Sequence, residues 1–304
     1  MTNRFCELVG CDLPIQQAAM TQVSTSTMVA AVSNAGGLGM IAVGRNPIEA
    51  VNAQLDEIAG LTSRPFGAGF IVKYLNHDTF DPIVEQVPII EFFYEWPSAR
   101  YVVPGKIVGW QVGSVDEAKA AVDVGCQYVV AQGVEGGGHV RGTMPLAELI
   151  PAVRAVVGDV PLIAAGGVGT AADVRQAMTL GADAVRIGTR FVASAESDVH
   201  PRYLELLIEA AADDAEFTDV FAVGWPDAPH RALASAVALA RADGPDPVGY
   251  TGSYPLPRRG PSPPNKQTTG QIEAMALYAG RSVGAVTGVK PVAEIIAELL
   301  GASS

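Results

Sequence analysis

PLIAAGGVGTAADVRQAMTLGADAVRIG, residues 161–188, holds two short apolar runs with a helix-like segment between them. The first run stops at Gly166 and Gly167, Thr170 stands where an N-cap belongs, and AVRIG (184–188) has the branched side chains of a second buried strand. Strands joined by a helical crossover lie parallel, so this stretch predicts a βαβ unit. The same rhythm runs back toward the start. PIQQAA (14–19), LGMIAV (38–43), FGAGFI (66–71), IIEFFY (89–94), KIVGWQV (106–112) and YVVAQ (128–132) precede PLIAAGG (161–167) and AVRIG. Eight such units predict an α/β fold, a closed (β/α)8 TIM barrel, because an open doubly wound sheet of that size would be unusually large.

Helix signals fall where a barrel needs them. In SVDEAKAAV (114–122), Ser114 and Glu117 have capping-box spacing, and TAADVRQAM follows the seventh strand. The fourth unit is compressed: about ten residues separate FFY from KIV, too few for a full crossover helix. Beyond residue 200 the pattern becomes helical, in HPRYLELLIEAAADD (200–214) and HRALASAVALARA (230–242). Residues 241–270 hold seven of the 21 prolines and read as a long surface or lid loop. GQIEAMALYAGRSVG (270–284) and KPVAEIIAELLGA (290–302) read as two helices that close back on the barrel. The expected organisation is a barrel over 1–200 and a helical extension over 201–304.

Lys plus Arg number 20 against 32 Asp plus Glu, a net charge of −12, which speaks against a nucleic-acid or anionic-membrane partner. The start lacks a signal-peptide pattern and no run of about 18 apolar residues appears, so a cytoplasmic protein is expected. Cys6, Cys11 and Cys126 form no CxxC pair, and neither a metal site nor a disulfide framework is expected.

In such a barrel the loops after the strands make the active face. Strand six runs into QGVEGGGHVRG (132–142), where three glycines let backbone approach a ligand beside His139. The loops after strands seven and eight, Gly166 to Gly169 and Gly188 to Arg190, supply N–H groups and a helix N-terminus suited to a phosphate. Gly167, Gly169 and Ala172 also fit G-x-G-x-x-A, but the acidic residue that a dinucleotide fold places about 20 positions on is missing. His77, His200 and His230 read as structural, Glu135 as an acceptor that fixes its loop, and Gly36, Gly37 and Gly39 as a helix stop and turn before strand two. Arg258 and Arg259 read as a solvated pair.

Taken in order, PIQQAAM, AVSNAGGLG, RPFGAGF, VVAQGVEGGGHVRG, LIAAGGVGTAADV, ADAVRIGTRF and GQIEAMALYAGRSVG resemble the FMN-dependent nitronate monooxygenase family over nearly the whole chain. A related branch, the FMN-dependent enoyl-acyl-carrier-protein reductases, shares the barrel and the GGH loop. The resemblance implies FMN as cofactor, its phosphate held by Gly166, Gly167, Gly188 and Thr189, and its ring and ribityl chain by Ala19, Met20, Thr21, Gln111, Gln132, Gly137 and Gly138. It implies His139 as the catalytic histidine, acting on a proton of a nitroalkane or holding the nitronate, with an ordinary pKa of about 6.5. The implied reaction takes an alkyl nitronate and O2 to a carbonyl compound and nitrite. Reduction of an enoyl thioester with NAD(P)H, or FMN binding without turnover, are the alternatives. Two positions depart from the family pattern: Ala19 stands for its usual proline and Gly69 for its frequent asparagine. WPDAPHR (225–231) resembles a segment of one branch and has no role assigned beyond shaping the pocket.

Overall fold

The computed structural model describes residues 3–301. Its centre is a barrel of eight parallel strands: β1 Ile15–Gln17, β2 Gly39–Ala42, β3 Phe66–Ile71, β4 Ile89–Phe93, β5 Ile107–Val112, β6 Tyr128–Gln132, β7 Leu162–Ala165 and β8 Ala184–Ile187. Each lies within one of the eight expected apolar runs. β1 pairs with β8, and the barrel closes where Leu38 N donates to Ile15 O and Gln17 N to Leu38 O, each at 2.9 Å. Small residues on the strands make room for large ones on the neighbouring strand. Gly109 of β5 is one such position, for a Cβ there would enter the ring of Tyr128.

The interior is layered along the barrel axis. At the N-terminal ends of the strands, the short helix Arg4–Val9 plugs the opening, and Phe5 meets Tyr128 edge to face at 6.2 Å. Met40, Ile89, Ile163 and Ala184 fill the same apolar layer. Above it lies a polar layer. Arg186 pairs with Glu91, donates to the side-chain oxygens of Gln16 and Gln111, and shares Glu91 with the Tyr128 hydroxyl and Gln16 Nε2, both at 3.1 Å. Arg186 Nε, Nη1 and Nη2 and Glu91 Oε2 all find partners, which helps a buried ion pair to be tolerated. Arg186 and Glu91 form part of the floor of the cavity at the strands' C-terminal ends.

The outer layer follows the sequence signals closely. Between β4 and β5 there is only the 3-10 turn Ala99–Tyr101, as the short spacing requires. Thr170 caps the helix Ala171–Thr179, and Asp173 completes a capping box. Ser114 accepts from Glu117 N at the start of the helix Val115–Asp123, but the Glu117 carboxylate turns back to Gly113 N and to Arg141, so that box is half made.

The part beyond residue 200 corrects several expectations. Pro201–Glu209 and Val292–Leu299 are helices, but His230–Leu233 is a strand and only Ala234–Arg241 of that run is helical. The strand pairs antiparallel with Ala215–Thr218 on one side and Gly138–His139 on the other. Its hydrogen bonds to these partners outweigh the helical pattern of its residues. The Pro-rich stretch is not structureless: Gly249–Thr251, Tyr254–Leu256 and Thr268–Gly270 form a three-stranded sheet. GQIEAMALYAGRSVG is not a helix either; two 3-10 turns, Ile272–Ala274 and Arg281–Ala285, flank a segment that is neither helix nor named strand. Arg258 and Arg259 are bound to backbone: their guanidinium groups donate to the carbonyls of Leu239, Ala240, Arg241 and Ala242 at the end of the helix Ala234–Arg241. That satisfies orphan carbonyls and sets positive charge at the negative end of the helix dipole. No helix among the described residues is long and apolar enough to cross a membrane.

Candidate active site

A cavity of about 400 Å³ opens at the C-terminal ends of the strands. Ala19, Met20, Thr21, Gln111, Gln132, Gly137, Gly138, His139, Gly166, Gly167, Gly188 and Thr189 all line it, so every site residue expected from the sequence meets at one place. Its wall also includes residues that the sequence did not single out for the site, among them Arg45, Tyr74, Tyr203, Tyr278 and Ser282, and Trp225 lines it from the WPDAPHR segment. Pro261, Ser262 and Pro263 line it from the Pro-rich stretch, which thus contributes to the wall.

One side is mostly backbone. Gly166 and Gly167 both lie in the left-handed region, at φ 103° and 76°. A Cβ on Gly166 would sit 2.9 Å from Gly136 N, so only glycine lets the loops after β6 and β7 come this close. At the N-terminus of the helix Ala171–Thr179, Asp173 accepts from Gly169 N, Thr170 N and the Thr170 hydroxyl, which takes up two of the N–H groups of that loop. The short helix Thr189–Val192 has no side-chain cap, which leaves its first N–H groups to be met from the cavity. Arg190 points elsewhere, to Gly169 O and Glu298, while the Thr189 hydroxyl accepts from Gly280 N at 3.0 Å.

The floor presents amides. Because a guanidinium only donates, Arg186 must be met by the carbonyl oxygen of Gln111, and this turns the Gln111 NH2 group away from the arginine. Gln132 Nε2 donates to His139 O at 3.1 Å, and Gln132 Oε1 is buried with no partner. Gly69 stands against Ala19: a Cβ on Gly69 would lie 2.5 Å from Ala19 Cβ, so the two departures from the family pattern face each other across one spot on the wall.

The other side is built of rings. His139 stacks on Trp225 with centroids 3.9 Å apart and planes at 20°. Tyr94 meets it edge to face at 6.1 Å, and Tyr278 and His230 lie at 5.6 and 5.4 Å. The Tyr94 backbone holds φ 75° just past the end of β4, a left-handed conformation unfavourable for a bulky residue. Burial, with the neighbouring His230, pushes the His139 pKa down to about 3. Its Nε2 is buried without a hydrogen-bond partner. The expectation of an ordinary imidazole pKa is therefore corrected: desolvation disfavours the cation, and the ring is neutral at neutral pH. Burial raises Tyr94 to about 12, so it keeps its proton there.

The remaining candidates take structural places. His77 is exposed beside Asp81, and His200 caps the helix Pro201–Glu209 by accepting from Arg202 N at 3.0 Å. Glu135 accepts from Leu146 N at 3.0 Å and fixes its loop, as expected.

A family model described as nitronate monooxygenase matches residues 2–96 and 85–301. Over 262 residues the chain is 32% identical to the nitronate monooxygenase of Pseudomonas aeruginosa, covering 68% of this chain and 74% of that one. It is 30% identical over 271 residues to a probable nitronate monooxygenase of Staphylococcus aureus, strain Newman, covering 72% and 76%. Among solved structures, FabK from Thermotoga maritima matches with a TM-score of 0.80 and 29% identity, over 99% of this chain and 96% of that one. Nitroalkane oxidase from Streptomyces ansochromogenes matches in fold with a TM-score of 0.79 at 24% identity, over 98% of each chain.

Proposed function

The chain belongs to the nitronate monooxygenase family, and from that premise we propose that it is an FMN enzyme that oxidises alkyl nitronates with O2 to a carbonyl compound and nitrite. The observation that carries this reading is the convergence of all the expected site residues on one cavity, where Gln132 Oε1 and His139 Nε2 are buried and unpartnered. Buried polar atoms without partners cost stability unless a ligand meets them.

The residues fit FMN. Gly166, Gly167, Gly188 and Thr189 would hold the phosphate through backbone N–H groups, since the nearby arginines Arg186 and Arg190 are already paired. Ala19, Met20 and Thr21 would lie along the ring and the ribityl chain, with Gly137 and Gly138 leaving room for them; Gln111 and Gln132 would set hydrogen bonds from the floor. When bound, FMN supplies the electron acceptor and the reactivity toward O2 that no side chain has.

His139 then holds the substrate. With a pKa of about 3 it is a weak base at neutral pH, so removal of a proton from a neutral nitroalkane is a poor use of it. A neutral imidazole N–H instead donates a hydrogen bond to a nitronate oxygen, and the surrounding rings exclude water and strengthen that bond. The substrate is accordingly the preformed nitronate.

The test is a pair of assays on one preparation: oxygen consumption with nitronates, and oxidation of NADH and NADPH. Purified protein is expected to be yellow, to release FMN on denaturation, and to consume oxygen with nitronates while oxidising either nicotinamide slowly. Bound FAD would overturn the cofactor. Fast NAD(P)H oxidation with no response to nitronates would move the chain to the enoyl-reductase branch.

A further inference from the structure

WPDAPHR, residues 225–231, surrounds His139. The histidine sits at the end of three consecutive glycines, Gly136 to Gly138, a stretch with no conformational preference that could hold a side chain in place. Its orientation must come from outside that loop. Trp225 is buried and lies flat on the imidazole, 3.9 Å between centroids. His230 and Arg231 pair antiparallel with His139 and Gly138, and Val140 N donates to Pro229 O at 2.9 Å. The Arg231 guanidinium donates to Val134 O through Nε at 3.1 Å and Nη2 at 2.8 Å, which ties the same segment to the start of the glycine loop.

The segment is itself anchored. His230 accepts from Phe221 N at 3.1 Å through Nε2, so its other nitrogen carries the proton and donates to Ala228 O at 3.0 Å. Trp225 is met edge to face by Tyr94 at 4.8 Å and by Tyr74 at 5.1 Å, and the Tyr74 hydroxyl donates to Gly224 O at 3.1 Å. We propose that Trp225–Arg231 is a positioning clamp for His139, with Trp225 setting the plane of the imidazole and the paired strand setting its place along the chain. The clamp serves catalysis only if His139 touches the substrate, so this inference rests on the proposed function.

A double-mutant cycle with a second readout tests it. Nitronate turnover is measured for FMN-loaded wild type, Trp225→Leu, Trp225→Phe, His139→Asn and the double variant Trp225→Leu with His139→Asn. Titration of the His139 ring is followed by NMR in the FMN-free protein. The titratable and charged groups around it are His230, Tyr94 and Tyr278, with Arg141 and Asp227 behind Tyr94. Trp225→Leu is expected to lower kcat/KM by up to about 10²-fold, the cost of misplacing a reacting group. Trp225→Phe, which keeps a flat face on the ring, should recover most of that. In the His139→Asn background, Trp225→Leu should add less than about twofold, as expected of coupled sites. The imidazole should titrate higher in Trp225→Leu, toward the ordinary value of about 6.5.

Equal losses in both backgrounds would show that Trp225 acts on the substrate directly, and would overturn the clamp. An unmoved His139 titration would overturn it as well. If His139→Asn alone cost nothing, the proposed function would fall while the titration still decided whether the segment positions the ring. Trp225→Met, whose unbranched, flexible side chain adapts better to an irregular gap, takes the place of the leucine variant should that one not fold.

Discussion

On one side of the cavity Gly166, Gly167 and Gly188 present backbone, each at or just past the end of a barrel strand; on the other, His139, Trp225 and Tyr278 present rings from three separate parts of the chain. The backbone side takes its shape from residues adjacent in sequence and from rigid strands beneath them. The ring side needs Trp225 and Tyr278, which lie far along the chain from His139, packed beside it. A ligand phosphate held by the first should therefore be lost by local changes, whereas the chemistry done by the second should be sensitive to residues far away in the chain.

The largest effect expected from separating the two sides is at His139. His139→Asn should keep FMN and lower kcat/KM for nitronates by about 10²- to 10³-fold, the usual cost of removing a preorganised donor. Parallel loss of FMN, measured by absorbance after gel filtration, would mean that the two sides are one unit. Next comes Gly166→Ala, which forces an L side chain into φ 103° and against Gly136 N. The strain, about 1–2 kcal/mol before the steric contact is added, should weaken FMN binding by about tenfold or more. Titration by flavin fluorescence checks it, and unchanged affinity would move the phosphate elsewhere.

A smaller effect concerns acid stability. The folded pKa of His139, about 3, lies below the unfolded value of about 6.5, so between them the unfolded chain binds more protons. Stability conferred by the neutral ring is full above about pH 6.5 and falls with decreasing pH by at most about 1.4 kcal/mol per pH unit. Urea unfolding of FMN-free protein at several pH values should show a shallower decline in His139→Asn than in wild type; identical slopes would mean that the ring is solvated. The smallest effect is at the mouth. Arg45 is exposed, lies 3.8 Å over the Tyr74 ring and makes no ion pair among the described residues. Arg45→Ala should raise KM for an anionic substrate by no more than about threefold, and salt should erase the difference. A larger effect that survives salt would add Arg45 to the ring side.

The boundary between legible and illegible parts follows the same division. The strands and the loops after β6, β7 and β8 could be read because hydrophobic runs, glycines and caps act over a few residues. The ring side leaves weaker traces in the sequence: nothing in the spacing of WPDAPHR tells that Trp225 stacks on His139. Tyr94 lay at the end of an expected strand with no sign of its left-handed backbone. In the sequence Arg186 is one residue of the short run AVRIG, and its pairing with Glu91 across the barrel exists only once the barrel closes.

What the sequence by itself determined is the barrel, its compressed fourth unit and the glycine-lined loops, since each depends on local periodicity and on backbone freedom. The tertiary structure decided the state of segments whose local preference lost. HRAL has the residues of a helix start, yet it became a strand because the hydrogen bonds available from Ala215–Thr218 and Gly138–His139 lie on both its edges. AMALYAG has the composition of a helix, yet Leu233 N donates to Leu277 O and Ala279 N to Arg231 O, and these bonds hold it extended beside the glycine loop. The His139 pKa was decided at the same level, because desolvation is a property of what surrounds a ring, and the surroundings of this one come from Trp225, His230 and Tyr278, more than eighty positions away in the chain.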